Sequence, residues 1–362
     1  MLTREKILSL PITYQGAYLP QDESLLFFDI ETTGFSPKTA QIYLIGAIAK
    51  VEHQWRLIQW LAQSPQEEPL LLQTFLTFAA SFSNLIHFNG TTFDLPFFRQ
   101  RASLYSLPDL GKGKHSLDIL QIIRPYRKVL RLEHLNQTAL EQFLGILRND
   151  SMNGGHLIPV YLQYADTPDP KLADLLLLHN HDDLLGMIQL LPMLSYADFF
   201  SGKFSVKGCE PDREDDSSFF LIFHLSLESS VPKPLSLPFK HGYLKVENTS
   251  GRMLVHGRKG EMKHFLKNYR DYYYLPTEDM AIHKSIGSYV DREHRIPAKA
   301  ATCYIRKTGL FLPVRHSTCG FPLFSFAYRD LDTYLECTPE FIDDPDLQLR
   351  YCRGLLFDCI NL

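Results

Sequence analysis

The sequence predicts an α/β fold, a mixed β-sheet flanked by helices, followed by a smaller α+β or β-rich second domain. Three observations carry that expectation. Apolar runs of strand length come first, and strand-like and helix-like segments then alternate, which suits helices laid on the faces of a mixed sheet. An acidic, turn-rich stretch from Gly208 to Ser217 interrupts the pattern. Beyond it, residues 218–227 and 242–257 alternate apolar and polar positions as half-buried strands do. A chain of 362 residues, 45% of them hydrophobic, is ample for two cores. The expected division is a first domain at 1–200, an acidic linker at 201–217 and a C-terminal domain at 218–362.

Within the first domain, residues 25–30, 41–51 and 54–61 read as strands, because each is an apolar run of strand length. Residues 66–82 read as a helix, 84–88 as a short buried strand and 92–104 as a helix. Asn89-Gly90 is the turn signal between the last two. Further helix is expected at 132–146 and 171–195. Ser116–Leu120 is strand-like and ends near Asp118.

Three polar clusters stand where such elements begin or end. Asp29 and Glu31 follow the run Leu25-Leu26-Phe27-Phe28. At i and i+2 of a strand they project to one face, and Gly34 lets the chain turn away. Alone, this pair is a solvated strand end; held side by side, the two carboxylates call for a cation between them. Asp94 falls at the start of the helix after Asn89-Gly90-Thr91-Thr92-Phe93. An acid there also suits the helix dipole. His179 and Asp183 share a face of the helix around Leu175–Met187. Buried there, unpaired, they would cost several kcal/mol, so they lie either at the solvent edge of the helix or in a site.

In that order, Asp29-Ile30-Glu31-Thr32, Asn89-Gly90-x-x-Phe93-Asp94 and His179-Asn180-x-x-Asp183 resemble the three motifs of the DEDD superfamily of 3′→5′ exonucleases, which have the ribonuclease-H-like fold. The sequence is most similar to the bacterial YprB-like branch. His115–Leu120, Leu140–Arg148 and Ile158-Pro159-Val160-Tyr161 before a histidine-asparagine helix add to that likeness, which covers roughly residues 20–195. Any one motif is weak; the ordered set is specific. The third motif departs from both main subtypes of the superfamily, since Leu178 stands where one has histidine and His179 where the other has tyrosine. The resemblance assigns Asp183 as the ligand and His179 to the attacking water, with Asp182 as the alternative ligand.

What the resemblance implies is a metal-dependent exonuclease of single-stranded DNA or RNA, with two Mg2+ or Mn2+ ions. Hard oxygen donors favour these metals over zinc, and two ions roughly 3.5–4 Å apart suit in-line phosphoryl displacement. Asp29 would bridge both ions. Glu31 and Asp183 would hold the ion carrying the nucleophilic water, and Asp94 the other. His179 would orient or deprotonate the water. Thr32, Asn89 and Phe93 fall on the substrate side, although Phe93 and Phe97 also have the spacing of core residues. A non-catalytic nucleic-acid-binding module and a structure-selective endonuclease are the alternative functions. Four filled acidic positions argue against the first.

Other signals are weaker. Gly111-Lys112-Gly113-Lys114-His115 lacks the glycine and Ser/Thr spacing of a phosphate-binding loop and reads as a flexible basic loop. Asp118 reads as structural. The N-terminal residues show no signal peptide, no apolar run is long enough to span a membrane, and the six cysteines form no Cys-x-x-Cys; a cytoplasmic protein is expected. Cys303, His316 and Cys319 are too irregularly spaced to indicate a zinc site.

The second half carries a charge asymmetry. Residues 240–315 hold 15 Lys and Arg against 7 Asp and Glu, while the whole chain has a net charge of −4. Arg258, Lys259, Lys263, Lys267 and Arg270 interleave there with Tyr269 and Tyr272–Tyr274. Basic groups that neutralise phosphates beside aromatics that stack on bases are the composition of a single-strand path. A basic solvated face over an aromatic core has the same composition.

Overall fold

Strand β2 (Leu25–Thr32) lies inside the first sheet, and its sequence explains why: only Asp29 and Thr32 escape full burial. A strand flanked on both sides is apolar throughout rather than alternating. In the computed structural model, which describes residues 1–9, 12–20, 24–148, 154–314 and 321–360, it pairs antiparallel with β3 (Ile42–Val51) and parallel with β5 (Asn84–His87). The six-stranded sheet is completed by β1 (Leu2–Leu8), β4 (Gln54–Leu61) and β6 (His115–Asp118), in the order β1-β4-β3-β2-β5-β6.

Helices cover both faces of this sheet, as expected for the fold class. One face is packed by α1 (Glu68–Ala79) and α2 (Asp94–Leu104), through Leu71, Leu72, Phe75, Phe97 and Phe98. Two short helices follow, α3 (Ile119–Ile123) and α4 (Gln137–Leu144). The other face is packed by α5 (Gly154–Asp166) and α6 (Pro170–Gln189), through Tyr161, Tyr164, Leu176 and Leu177. Helix α7 is Leu194–Phe200.

The differences from the expected elements have local causes. β1 was not foreseen because Thr3-Arg4-Glu5-Lys6 has no apolar pattern; charged side chains are what a sheet edge carries. α5 was missed because Pro159 stands inside it, where a proline lacks the N–H that continues the helical hydrogen bonding. The expected helix at 171–195 is two, since Pro192 falls between α6 and α7.

The chain divides into two compact units, Met1–Asp198 and Phe199–Leu362. The second is β-rich. Its larger sheet runs β14-β15-β13-β9-β8-β7, with β7 at Phe204–Glu214, β8 at Ser218–Phe239, β9 at Gly242–Phe265, β13 at Tyr304–Val314, β14 at Leu323–Phe324 and β15 at Thr333–Glu336. A smaller sheet joins β10 (Tyr272–Leu275), β11 (Met280–His283) and β12 (Ile296–Pro297), beside the single turn α8 (Lys284–Gly287). Helices α9 (Pro339–Asp343) and α10 (Pro345–Ile360) end the described chain. The stretch 201–217, read as a linker, is mostly β7 and its turn into β8. Its acids are exposed on an edge strand, and Asp215 accepts from the backbone N–H groups of Ser217 and Ser218 at 2.8 and 2.7 Å. Surface charge on an edge strand has the composition of a linker without being one.

Candidate active site

Three elements of the first unit bring the acids together. The end of β2 supplies Asp29 and Glu31. A bulge follows directly after Glu31, so the strand keeps both side chains on one face before it bends. The first residue of α2 supplies Asp94, whose Oδ1 accepts the Ile30 N–H at 3.3 Å and so docks between the first two acids. α6 supplies His179, which is buried, and Asp183, which is half-buried where it lines the cleft. His179 is 5% exposed, and its Nε2 lies 3.3 Å from Asp183 Oδ2 and 3.7 Å from Glu31 Oε1. Ligand atoms of Glu31, His179 and Asp183 all fall within 4.8 Å of one another.

These five side chains line one cleft of about 460 Å3, together with Asn89, Phe93, Gln137, Thr138 and Arg148. Asp182, the alternative ligand, instead pairs with His181 Nδ1 at 3.0 Å and is not among the cleft's residues. Burial, reinforced by the negative charges of Glu31, Asp183 and Asp94, holds the Asp29 carboxyl well above the usual carboxylate range. Burial also pushes Asp94 up to about 7 against the pull of the Ile30 N–H. Carboxylates held that close and that dry are an electrostatic demand for cations. The donor set, oxygen with one imidazole, fits hard divalent ions.

The other expected residues fall at varying distances from this chemistry. Asn89 has a φ of 63°, and its Oδ1 accepts from the Thr92 hydroxyl at 2.6 Å. Phe93 lines the cleft, whereas Phe97 is core. Thr32 donates its hydroxyl to Gly34 O at 2.8 Å, tying the turn after β2. Asp118 accepts the N–H groups of Asn89, Thr91 and Gln121 at 2.9, 3.1 and 3.3 Å, which is structural work. A larger groove of about 850 Å3 along β6 has, among the described residues, Asp118 as its one acid, already engaged in those bonds. The basic loop at 111–115 is pinned: Lys114 donates to Ala79 O at 2.8 Å and to Phe82 O, closing the C-terminal end of α1.

In the second unit, Lys259 pairs with Glu214 at 2.5 Å, the Lys263 ammonium lies 4.2 Å from the centre of the Tyr304 ring, and Arg258 is exposed. Tyr274 and Tyr304 both donate to Asp279, so part of the expected stacking surface is internal to the unit. His316 and Cys319 lie outside the described residues.

Sequence reasoning did not single out Gln59 or Gln137, and it named Glu141 and Arg148 only within the Leu140–Arg148 segment of the family likeness. Asn180 was read only as part of a motif. In the structure, Asn180 Nδ2 donates to Asp29 Oδ2 and its Oδ1 accepts from Gln59 Nε2, both at 2.9 Å. One signal was available: Glu141 stands next to Leu140 on a short amphipathic helix, where a buried acid needs a partner.

Comparison with known proteins locates this unit. Residues 26–195 match the family model described as the RNase_H superfamily. The uncharacterized protein YprB of Bacillus subtilis strain 168 is 31% identical over 172 residues, 46% of this chain and 41% of that one. Among solved structures, E. coli exonuclease I in complex with a dA13 oligonucleotide is similar over 55% of this chain and 54% of its own, at 12% identity and a TM-score of 0.33. The family B DNA polymerase of Pyrobaculum calidifontis is similar over 95% of this chain and 47% of its own, at 12% identity and a TM-score of 0.41. The chain thus spans less than half the length of the YprB protein and about half of the exonuclease I chain.

Proposed function

Residues 26–195 match the family model of the RNase_H superfamily, and from that match we propose that the protein is a metal-dependent nuclease, a 3′→5′ exonuclease of single-stranded or frayed DNA or RNA. The observation that carries the reading is the convergence of Asp29, Glu31, Asp94 and Asp183 with His179 in one cleft. A module that only bound nucleic acid would gain nothing from four carboxylates facing a polyanion.

Asp29, Glu31, Asp94 and Asp183 would hold two Mg2+ or Mn2+ ions, which when bound would supply Lewis-acid polarisation of the phosphate and a water acidic enough to act as nucleophile near neutral pH. His179 takes the proton from the attacking water, a general-base role that an imidazole can fill. Glu31 and Asp183, both within reach of its Nε2, fix the ring's orientation. Asn89 and Phe93, at the rim of the cleft, receive the terminal sugar and base. The basic stretch around Arg258, Lys259 and Lys263 draws the strand in through its phosphates. Among the described residues, no helix is long and apolar enough to cross a membrane, and five cysteines are free thiols; a reducing, cytoplasmic setting suits both.

The test is digestion of 3′- and 5′-labelled single strands, as DNA and RNA, with Mn2+ or Mg2+, beside an Asp29→Ala variant. Stepwise shortening from the 3′ end that needs the metal and Asp29 is the expected result. Cleavage of a circular strand would make it an endonuclease. Tight binding without cleavage of any substrate would overturn the catalytic reading.

A further inference from the structure

Helix α4 is capped at its start by Asn136, whose Oδ1 accepts the Ala139 N–H at 2.9 Å. It is stopped by Gly145, at a φ of 78°. That left-handed stop turns the chain back along the helix, and Arg148 then reaches into the acidic cleft. Its guanidinium donates to Thr138 Oγ1 at 3.1 Å, lies 3.5 Å from Glu141 Oε2 and pairs with Asp183 Oδ1. The side chain is 15% exposed, and those of Glu141 and Asp183 are 1% and 19% exposed.

The support behind this arginine is built. Gln137 Nε2 donates to Glu141 Oε1 at 2.9 Å and to Asp183 O at 2.7 Å, which ties α4 to α6 at the residue Arg148 pairs with. Gly186 gives Glu141 its place against α6, since a Cβ there would stand 1.9 Å from Glu141 Oε1. Glu141 therefore holds the guanidinium from behind, with one edge turned to Asp183 and the cleft. A planar guanidinium fixed in this way matches the oxygens of a carboxylate or of a phosphate equally well.

Building on the proposed nuclease reading, we infer that Arg148 is a further substrate-binding residue of this site, shared between Asp183 and the scissile phosphate. In the structure it pairs with Asp183. Once a divalent ion takes that carboxylate, the same N–H groups donate to a non-bridging phosphate oxygen of the substrate. Arg148 and the ion therefore compete for Asp183, and Glu141 sets the balance by drawing the guanidinium away from it.

The test is Mn2+ titration by calorimetry on the full chain, with the wild type, Arg148→Gln, Arg148→Lys, Glu141→Gln and Asp29→Asn, followed by kinetics on a single-stranded oligonucleotide. Arg148→Gln should bind Mn2+ about tenfold more tightly, because the ion no longer displaces a charge-assisted hydrogen bond. Its kcat/KM should still fall about a hundredfold, the usual effect of removing a donor to a reacting anion. Arg148→Lys should keep Mn2+ affinity near the wild type and recover part of the activity. Glu141→Gln should shift Mn2+ binding the other way, several-fold weaker, because Arg148 then rests on Asp183 alone. Opposite shifts from two neighbouring substitutions are not what general loosening of the fold produces. Unchanged or weaker Mn2+ binding in Arg148→Gln, or undiminished kcat/KM, would overturn the inference. If Asp29→Asn binds Mn2+ as the wild type does, the metal-site reading fails first and the role of Arg148 falls with it.

Discussion

Asn180 donates its side-chain N–H to Asp29 Oδ2 at 2.9 Å, and nothing local to Asn180 decides that its nitrogen, not its oxygen, faces the acid. Gln59, on β4, decides it. Its Nε2 donates to the Leu177 carbonyl at 2.8 Å and to Asn180 Oδ1 at 2.9 Å, so Asn180 has to present its NH2 to Asp29. Gly46 on β3 makes room, since a Cβ there would stand 1.9 Å from Asn180 Oδ1. One oxygen of Asp29 is thereby fixed, and with it the orientation of the carboxylate.

Gln59→Glu removes the donor and leaves the shape. The Asn180 amide then loses its reason to face one way, and Mn2+ affinity should fall by about 10- to 100-fold, as outer-shell changes at metal sites do. Calorimetry reads the effect, with circular dichroism to show that the fold is kept. Wild-type affinity in this variant would mean that Asn180 is set by something other than Gln59.

The acids were legible in the sequence because each stands at a break that sequence marks: Asp29 and Glu31 after an apolar run, Asp94 after Asn89-Gly90, Asp183 on a helix otherwise rich in leucine. Strand and helix periods placed the inner strands and most of the covering helices, but not the charged edge strand β1 or the proline-bearing α5. The relay and the clamp were not legible because they are long-range. Gln59 meets Asn180 across 121 residues, and Arg148 meets Asp183 across 35. No period or spacing encodes such a meeting. The 201–217 stretch was misread because an edge strand in water and a linker select the same exposed acids.

Crowding of carboxylates has a cost in stability that an ion relieves. Asp29 is held above the usual carboxylate range by burial and then by the charges of Glu31, Asp183 and Asp94. In EDTA, Asp29→Asn should therefore unfold at a higher temperature than the wild type, because it keeps an acceptor for Asn180 and loses one charge. Saturating Mn2+ should reverse the order. An ion at a hundred times its dissociation constant stabilises the wild type by about 2.7 kcal/mol, and the variant gains less. Thermal melts of both proteins, with and without Mn2+, check this. A wild type insensitive to Mn2+ would leave the cluster without an ion.

His87 gives the first unit a pH dependence of known sign. The ring is 1% exposed, its Nδ1 accepts the Gly90 N–H at 3.1 Å, and its Nε2 is 2.7 Å from Ser116 Oγ, so the neutral tautomer with Nε2–H fits both partners. Burial pushes its pKa down to about 4, against the attraction of Asp118 at 3.7 Å. The unfolded chain binds this proton near pH 6.5, so stability is present above that value and is lost as pH falls through 4. The loss amounts to about 3 kcal/mol. His87→Gln should flatten this acid limb. Urea unfolding at pH 7 and pH 4.5 measures it, and an equal drop in both proteins would assign the acid sensitivity elsewhere.

Arg258, Lys259 and Lys263 bear on how substrate arrives. Each phosphate neutralised on a single strand contributes about 0.7 to the slope of log affinity against log salt. If all three residues meet phosphates, the triple change to Glu should lower that slope by about 2 and weaken oligonucleotide binding throughout the salt range. Their present partners allow a sharper comparison. Lys259 is engaged by Glu214 at 2.5 Å, so Glu214→Gln frees it and should steepen the slope, whereas Lys263, seated on Tyr304, should respond little to that change. Fluorescence anisotropy with a labelled single strand, in EDTA to prevent cleavage and at several salt concentrations, separates the cases. Identical slopes in the wild type, the triple variant and Glu214→Gln would make this stretch an ordinary solvated face, and the strand would then reach the acids by the first unit alone.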